Sequence, residues 1–516
     1  MYHNAIAERL MNLSPEQLRR DLFASAASRS SYADVREGML AYAAWLTEGE
    51  GIRPGDRVAL CLPKNLETVT AIYGILCAGA TYAALQFQGP PARLHLILAS
   101  LRPRLLITTK DMAARLRDTG DPSSAPVRTV EIANDDGALA ALRRGIAPRR
   151  TIAEVAPEDL ATIFFTSGST GEPKGVMWSQ RGMAASVSAL PRWRQQTADD
   201  RLISVSGLHY SASCEIFYPV VSSASVYLCG DHEMMFADRL ADVLEHEGTT
   251  VWSSTATALR MLVEAGNLPA RDLRALRRME VFGERMQIAA LRAAMAAVPH
   301  AEFHNLYAAT EAFDMIEYQV PRPLGADVTE LPLGRPSPIY ELSLRDDTGR
   351  EVRSEEIGEI CVVGPSVTAG YWNDPALSEA KRIAGRPDSY RTGDLAIRGE
   401  DGLLKLIGRR DHVVKLRGHR FDLGEIEAAA KAQPRVRDAV ASTMERPRKE
   451  VEIVLAVLAD GASDHHTDLE RELHRLCLER LPSFARPSRI VIFNEFPLLS
   501  SGKIDRRALQ KRLAAR

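Results

Sequence analysis

A ten-residue segment rich in glycine and hydroxyl side chains gives the most direct indication of chemistry in this chain. Residues 166–175 read T-S-G-S-T-G-E-P-K-G and follow a short apolar run, residues 163–165, which predicts a buried strand. Glycine lets the backbone turn tightly and approach a ligand closely. Exposed N–H groups, hydroxyls and an ammonium group together can hold phosphate oxygens. The segment therefore predicts a phosphate-binding loop.

Two other interpretations of this segment fit its residues less well. A Walker loop ends in Gly-Lys followed by Ser or Thr, whereas here Pro173 precedes Lys174 and Gly175 follows it. A flexible glycine–serine linker has no need of the Pro-Lys-Gly ending. We therefore favour the phosphate-binding loop over both.

Four more motifs follow this loop along the chain. They are N-L-Y-A-A-T-E at 305–311, Y-R-T-G-D at 390–394, a run from G-R-R-D at 408–411 through Lys415 and Arg417-Gly418 to L-G-E-I-E at 423–427, and S-G-K-I-D-R-R at 501–507. In type and order the whole set resembles the motifs of the AMP-forming adenylating enzymes. That superfamily includes acyl-CoA synthetases, the adenylation domains of nonribosomal peptide synthetases and firefly luciferase. The similarity runs from about residue 57 to residue 507.

The resemblance implies a reaction in two steps. A carboxylate attacks the α-phosphorus of ATP to give an acyl-adenylate and pyrophosphate, and a thiol then displaces AMP. Because an anion must approach a triphosphate, positive charge has to lie where negative charge builds up. The implied catalytic residues are Thr310 at the α-phosphate, Glu311 as an oxygen ligand suited to Mg²⁺, and Lys503 between the carboxylate and the nucleotide. Outside these motifs, Glu311 and Lys503 would be interpreted as ordinary solvated charges.

The resemblance also implies an ATP-binding set. Asp394 is expected to accept both ribose hydroxyls, with Arg409 as a second ribose contact. Tyr307 is suited to stack on adenine and Asn305 to pair with its edge, and core packing is the alternative for Tyr307. The full set of expected ATP-binding residues is Thr166, Ser167, Gly168, Ser169, Thr170, Gly171, Lys174, Asn305, Tyr307, Asp394 and Arg409.

The C-terminal motifs imply a moving part. By resemblance Asp411 is a hinge, and Lys415, Arg417 and Gly418 belong to a stretch that enters the site for the thiol step. The alternative for these basic residues is an exposed strand edge that carries charge to prevent aggregation.

The acyl pocket departs from the usual amino-acid pattern of the superfamily. Tyr210 stands where adenylation domains for α-amino acids commonly carry an aspartate for the substrate amine, and a tyrosine cannot neutralise an ammonium group at pH 7. Ala308 and Phe282 also replace common glycines and add bulk. The pocket positions implied by the flanking motifs are His209, Tyr210, Cys214, Ser253, Glu280, Phe282, Leu306, Asp314 and Met315.

Two of these positions are acidic, and a buried carboxylate is costly unless it is paired. Glu280 and Asp314 either point to solvent or to protein partners, or they meet a cationic or hydroxyl group of the substrate. The second alternative suggests an acid with an amine away from the α-carbon, or an unusual amino acid. A long fatty acid fits such a polar pocket poorly.

Composition excludes several other classes of function. The formal net charge is −2, with 45% apolar and 26% charged residues, so neither a nucleic-acid partner nor a basic membrane-binding surface is expected. No apolar run approaches the length that spans a bilayer. The six cysteines lack CxxC spacing and the twelve histidines form no ligand pattern. We therefore expect a cytoplasmic protein with reduced cysteines and no zinc site.

The order of predicted elements indicates an α/β fold. Apolar runs and amphipathic stretches alternate in the first part, with helices at 34–48 and 66–78 and strands at 57–63 and 105–109, which favours layers around a largely parallel sheet. A charged run marks a boundary near 408–411. Beyond it we predict a small α+β unit of helices at 423–432 and 468–481 and strands at 451–457 and 489–493.

Together these observations predict a large N-terminal domain of layered α/β subdomains, residues 1–408, which binds AMP and the acyl group. A small mobile α+β C-terminal domain, residues 409–516, would follow the hinge. The expected function is a stand-alone ATP- and Mg²⁺-dependent ligase for a small carboxylic or amino acid in secondary metabolite biosynthesis. The C-terminal motifs favour the phosphopantetheine of a separate carrier protein as thiol acceptor. The alternatives are an acyl- or aryl-CoA ligase and, more distantly, a non-catalytic nucleotide-binding subunit.

Overall fold

The fold of most of the chain is described by a computed structural model. The described residues are 4–119, 127–135, 137–166, 173–284, 286–346, 348–409, 413–416, 419–445, 451–459, 466–497, 504 and 506–515. Strands and helices are numbered below in chain order.

The largest sheet is mostly parallel. In spatial order its nine strands are β15 (Arg335–Pro336), β14 (Ala312–Gln319), β13 (Glu302–Ala309), β12 (Arg278–Phe282), β11 (Val251–Thr255), β9 (Arg201–Ser204), β10 (Ser225–Leu228), β1 (Asp21–Ala24) and β2 (Arg29–Ser31). Strands β13, β12, β11 and β9 are parallel neighbours, so their carboxyl ends lie on one edge of the sheet. That edge is where ligands bind in open α/β sheets.

A second sheet holds the strand that leads into the predicted phosphate loop. In spatial order its seven strands are β18 (Gly370–Tyr371), β8 (Lys174–Ser179), β7 (Leu160–Thr166), β4 (Thr81–Ala84), β3 (Arg57–Cys61), β5 (Leu105–Thr109) and β6 (Thr129–Ile132). Strands β7, β4, β3, β5 and β6 run parallel. Both β3 and β5 are almost entirely buried, as expected for strands covered on both faces.

Three smaller sheets complete the strands of the described residues. The first consists of β16 (Glu341–Arg345), β17 (Ile357–Val363), β19 (Ser389–Arg398) and β20 (Leu404–Arg409); the second of β21 (Val413–Leu416) and β22 (His419–Asp422); the third of β23 (Val436–Glu445), β24 (Val451–Ala459) and β25 (Arg489–Phe493).

Helices cover the faces of these sheets. They are α1 (Ala5–Met11), α2 (Pro15–Leu18), α3 (Tyr32–Ala44), α4 (Leu66–Cys77), α5 (Pro91–Leu101), α6 (Lys110–Thr119), α7 (Ala138–Ala141), α8 (Gln180–Trp193), α9 (Pro219–Ser222), α10 (Asp231–Met235), α11 (Ala237–His246), α12 (Ala256–Ala265), α13 (Ile288–Ala297), α14 (Pro375–Ala380), α15 (Leu423–Lys431), α16 (His466–Arg480) and α17 (Arg506–Ala514). A π-helical turn (Trp45–Gly49) and 3₁₀ turns (Ser211–Phe217, Leu268–Ala270 and Ser483–Ala485) add to them.

Local sequence signals explain where the early helices begin. Ser31 and Asp34 form a reciprocal capping box at the start of α3, and the side chain of Asn65 accepts from the N–H of Thr68 at the start of α4. Helix α4 is buried on nearly all sides and packs against α3. None of the helices in the described part of the chain combines the length and apolar character needed to cross a membrane.

The predicted elements are found close to their expected bounds. Strand β5 coincides with residues 105–109, and the helix predicted at 34–48 is α3 continued by the π-helical turn. The charged run at 408–411 begins inside β20. In the antiparallel register, Arg409 of that strand stands opposite Asp394 of β19. The division at residue 408 stays a prediction, and residues 410–412 lie outside the described residues.

One glycine provides a sharp test of the packing of strands β14 and β15. Gly334 has a φ of 112°, and a Cβ added there would overlap the backbone of Glu317 on β14. Gly349 has a φ of 84° but faces open space. We expect Gly349→Ala to cost about 1–2 kcal/mol, the usual left-handed penalty, and Gly334→Ala to cost clearly more because β14 must also move. Thermal unfolding of both variants beside wild type measures this, and equal losses would contradict the close approach.

Candidate active site

A cavity of about 320 Å³ opens where the carboxyl ends of the strands in both large sheets meet. Thr166 at the end of β7 lines it, as do Ser253 in β11, Phe282 at the end of β12 and Thr310 just after β13. Residues from four chain segments are therefore combined in one site. This is the place that a phosphate loop at the end of β7 predicts.

The stem of the predicted phosphate loop is a β-hairpin. Thr166 and Lys174 lie opposite each other in the antiparallel pair of β7 and β8, and the Thr166 hydroxyl donates to the Lys174 carbonyl at 3.5 Å. The register places both residues at the mouth of the loop. The loop residues Ser167, Gly168, Ser169, Thr170 and Gly171 lie outside the described residues, so their roles stay predictions.

The turn at Thr310 and Glu311 is held by aromatic residues. The indole N–H of Trp178 donates to the Thr310 carbonyl at 2.9 Å, and its ring stacks on Phe313 with centroids 4.0 Å apart. The Tyr371 hydroxyl donates to Glu311 Oε1 at 2.7 Å. This bond orients a carboxylate that is only 2% exposed. Such a fixed oxygen donor fits the coordination preference of Mg²⁺.

Asp394, the predicted ribose contact, lies in a small hydrogen-bond network. Its carboxylate accepts a hydrogen bond from the Tyr307 hydroxyl, and its N–H donates to the Thr392 hydroxyl at 3.0 Å. The Tyr307 side chain is 6% exposed and belongs to an apolar cluster, which favours its core-packing alternative. Asn305 donates to the Pro332 carbonyl at 3.0 Å.

The C-terminal part of the chain also reaches the cavity. Pro482 and Phe484 line it, and Glu425 at the start of α15 pairs with Arg93 of α5 at 3.3 Å. Asp411, Arg417, Gly418 and Lys503 lie outside the described residues. For Arg409 and Lys415 only the strands that carry them are described, β20 and β21.

The nine predicted acyl-pocket residues separate into two groups. His209, Tyr210, Ser253, Phe282 and Asp314 line the cavity. Cys214, Glu280, Leu306 and Met315 do not line it, and each is at most 3% exposed. Burial raises the pKa of Tyr210, so its phenol stays neutral at physiological pH. The cavity thus keeps a hydroxyl, and no charge, where an aspartate is common.

Arginine partners resolve the question of the two acidic residues. Arg194, at the C-terminal cap of α8, contacts Asp314 at 2.7 Å and Glu280 at 3.2 Å. Glu280 is also held by Arg278 at 2.6 Å. Burial alone would raise the pKa of Glu280, but the charges of Arg194 and Arg278 outweigh it and bring that pKa to about 2. Both acids therefore have protein partners, and Glu280 lies behind Arg194.

Asp314 nevertheless faces the cavity. Successive residues of a strand normally point to opposite faces, yet Phe313 and Asp314 both line the cavity. Asp314 has a φ of 41°, an uncommon value that aspartate tolerates better than most residues. Burial raises its pKa, and Arg194 offsets this only in part. The unusual backbone thus directs an incompletely compensated carboxylate toward the cavity.

Comparison with known proteins decides the family. The family model for AMP-binding enzymes matches residues 16–372, and the model for the AMP-binding enzyme C-terminal domain matches residues 425–503. The chain belongs to the AMP-binding enzyme family. Members of this family are adenylate-forming ligases.

Relatives and solved structures agree with this family. The chain is 30% identical over 468 residues to a dimodular nonribosomal peptide synthase of Bacillus subtilis (strain 168), covering 89% of this chain but only 19% of the synthase. It is 32% identical over 478 residues to an L-proline–[L-prolyl-carrier protein] ligase of Streptomyces coelicolor, covering 89% and 88%. The amide bond synthetase McbA from Marinactinospora thermotolerans superposes with a TM-score of 0.84 at 24% identity, covering 98% and 99%. This likeness confirms the predicted α/β fold class.

Sequence reasoning missed three charged residues of the cavity, Arg93, Arg194 and Glu215, of which the last two are buried. Both line it, and both are at most 6% exposed. Glu215 interrupts the apolar run from Cys214 to Tyr218, and a lone carboxylate in such a run was the available signal. Arg194 offers no comparable signal, because basic residues are generally favourable at helix C-termini.

The Arg194 pairing predicts a large effect on stability. We expect Arg194→Met to lower the free energy of unfolding by about 3–5 kcal/mol, since two carboxylates lose a buried partner. Glu280 owes its low pKa partly to Arg194, and this stabilisation is present near neutral pH and is lost as pH falls toward 2. The deficit of the variant should therefore shrink in acid.

Denaturant unfolding across pH measures this effect. The control is Arg274→Met, whose arginine side chain is 87% exposed and pairs with Asp272 at the surface; it should change the free energy of unfolding little, because exposed ion pairs contribute little to stability. Equal losses for the two variants would rule out a structural role of the Arg194 contacts.

Proposed function

We propose that this chain activates a small carboxylic or amino acid with ATP and then transfers the acyl group to a thiol. The observation that carries the proposal is the single cavity that joins the end of β7, the Thr310 turn and the polar acyl pocket. A carboxylate placed there would lie beside the groups that hold the nucleotide. The size of the cavity suits a small acid better than a long fatty acid.

In the first step, a carboxylate oxygen of the acid attacks the α-phosphorus of ATP. The bond to the bridging oxygen breaks, and pyrophosphate leaves with the electron pair. Lys174 and the loop hydroxyls bind the β- and γ-phosphates, and the Thr310 hydroxyl contacts the α-phosphate. Ser211 donates to Thr310 Oγ1 at 3.3 Å and so orients that hydroxyl.

Mg²⁺ and Lys503 complete the charge balance of the first step. Glu311, oriented by Tyr371, is the residue suited to hold Mg²⁺. When bound, the ion neutralises phosphate charge. Lys503 bridges the attacking carboxylate and the nucleotide, and Asp394 accepts from the ribose hydroxyls.

In the second step, a thiolate attacks the acyl carbon, the bond from that carbon to the AMP oxygen breaks, and AMP leaves. We favour the phosphopantetheine of a carrier protein as the thiol, because residues 423–427 and 502–507 resemble peptide-synthetase adenylation domains. The relative named as an L-prolyl-carrier protein ligase supports this acceptor. Coenzyme A, as in an acyl- or aryl-CoA ligase, is the second candidate. A non-catalytic nucleotide-binding subunit would have no need of Lys174, Glu311, Asp394 and Lys503 together.

Acid-dependent ATP–pyrophosphate exchange, followed by thioester formation with a carrier protein or with coenzyme A, tests this function.

Asp394→Ala should raise the KM for ATP about tenfold or more, because a charged hydrogen bond contributes about 1.5–3 kcal/mol. The KM for the acid should change little. Asp388→Ala is the control, since Asp388 is exposed and pairs with Arg386 at the surface. An unaltered KM for ATP in a folded variant would remove Asp394 from the nucleotide site.

The contact between Arg93 and Glu425 predicts a separation of the two steps. Glu425 is 2% exposed and joins α15 to α5, so the pair stabilises one placement of the C-terminal part. If the two steps need different placements, Arg93→Ala should slow one step and speed the other. Glu425→Ala should have the same pattern, and the double variant should add little.

Pyrophosphate exchange and thioester formation report the two steps separately. The control is Arg117→Ala, because Arg117 is an exposed residue of α6 that pairs with Glu131 of β6. Loss of both steps to the same extent would contradict a movement between them.

A further inference from the structure

Glu215 is a carboxylate that lines the cavity without a matched partner. It lies in the 3₁₀ turn Ser211–Phe217 and is 6% exposed. Its Oε1 atom is buried and has no hydrogen-bond partner, and among the described residues no arginine or lysine nitrogen lies within 4.0 Å of the carboxylate. An ionised group in this setting is costly unless a partner arrives.

The neighbouring cations are already engaged with other groups. Lys64 donates to the carbonyls of Ser204 and Ser206 at 2.8 and 3.2 Å. Arg194 directs its two terminal nitrogens to Asp314 and Glu280. Both cations therefore have their short contacts with groups other than Glu215, and they act on its charge from a greater distance.

The whole cluster has an excess of negative charge. Counted over the described residues, three cations face four carboxylates: Lys64, Arg194 and Arg278 against Glu215, Glu280, Asp314 and Glu317. His304, which contacts Glu317, adds a positive charge only when protonated. The two carboxylates that line the cavity, Glu215 and Asp314, share Arg194, because the other lining arginine, Arg93, pairs with Glu425.

The pKa values of these carboxylates indicate which of them carry the excess negative charge. Burial raises the pKa of Glu215 to about 7, although the Ser204 hydroxyl, Lys64 and Arg194 act against this rise. Burial also raises the pKa of Asp314, whereas Glu280, behind Arg194, has a pKa of about 2. The cations thus compensate the acid behind the cavity wall fully and the two acids on the wall only in part.

We propose that the activated acid carries a cationic amino group away from its reacting carboxylate, and that Glu215 and Asp314 bind this ammonium. The inference rests on the proposed function and specifies its substrate class. The ammonium supplies the missing positive charge and donates to the unpartnered oxygen of Glu215. Tyr210, a neutral phenol, leaves the usual α-amine position without a charge, so the recognised amine is a distal one.

Matched pairs of acids test the class directly by pyrophosphate exchange with wild type. The pairs are 3-aminopropanoate with propanoate, 4-aminobutanoate with butanoate, and 3-(aminomethyl)benzoate with 3-methylbenzoate. We expect at least one amine to exceed its partner in kcat/KM by about tenfold or more, and 4-aminobutanoate to exceed 2-aminobutanoate.

Glu215→Gln keeps the shape of the side chain and removes its charge. It should raise the KM for the amine acid about ten- to a hundredfold and should leave the KM for ATP and for the amine-free acid nearly unchanged. Asp314→Asn should act in the same direction. Glu158→Gln is the matched control, because Glu158 is 68% exposed.

A pH profile of wild type tests the same inference without substitution. Glu215 loses its charge as pH falls through about 7, so kcat/KM for the amine acid should fall below that pH, and that for the amine-free acid should not. The charged or titratable groups around Glu215 are Lys64, Arg194, Glu280, Asp314, Cys214 and Tyr218. Glu215→Gln should flatten the pH profile of kcat/KM for the amine acid. This result would assign the pH dependence to Glu215 and not to the other groups.

The outcomes distinguish this inference from the proposed function. If no acid supports exchange, the proposed function fails. If amine-free acids are preferred, or succinate is preferred because Arg194 binds a second carboxylate, only the amine inference fails. The amine inference also fails if Glu215→Gln changes the KM for the amine acid and for the amine-free acid equally while its melting temperature stays unchanged.

Discussion

Burial of the Arg194 guanidinium is the constraint on which the acyl side of the site depends. A buried cation needs carboxylates close to it, and Arg194 obtains them from β12 and β14, two strands of the largest sheet. Its helix, α8, packs on the other large sheet through β7 and β8. The ion pairs therefore connect the two sheets across the cavity. They also restrain the side chain of Asp314, whose φ is 41°.

The nucleotide side depends on neutral contacts instead. Trp178, Tyr371 and Thr368 hold the turn at Thr310 and Glu311 through a stacked ring and hydrogen bonds from two strands and a loop. Groups that act on developing charge work best when they are fixed before the reaction begins. The backbone N–H of Thr368 donates to the Glu311 carbonyl at 2.7 Å, so both ends of Glu311 are restrained.

Much of the fold could be predicted from sequence because its signals are local. Strand β5 is a run of apolar and β-branched residues, and α4 follows an asparagine cap, so both had clear bounds. The pocket was harder, because cavity lining depends on contacts between distant segments. Glu280 and Phe282 share a face of β12 by alternation, yet only Phe282 lines the cavity. Arg194, 86 positions earlier in the chain, stands in front of Glu280, and no local pattern reveals that contact.

The shared arginine has a consequence for how this enzyme can change during evolution. Replacing Arg194 alone leaves two buried carboxylates unpaired, and replacing either acid alone leaves part of the arginine unpaired. Any stepwise route from this cavity wall to one with other charges, or with apolar residues, therefore passes through single variants of low stability. New acyl specificity is reached more readily through neutral positions such as Ser253 or Phe282, which adjust shape. A change in the charge of the recognised group requires several substitutions to arise together, which makes this property the slowest of the site to diverge.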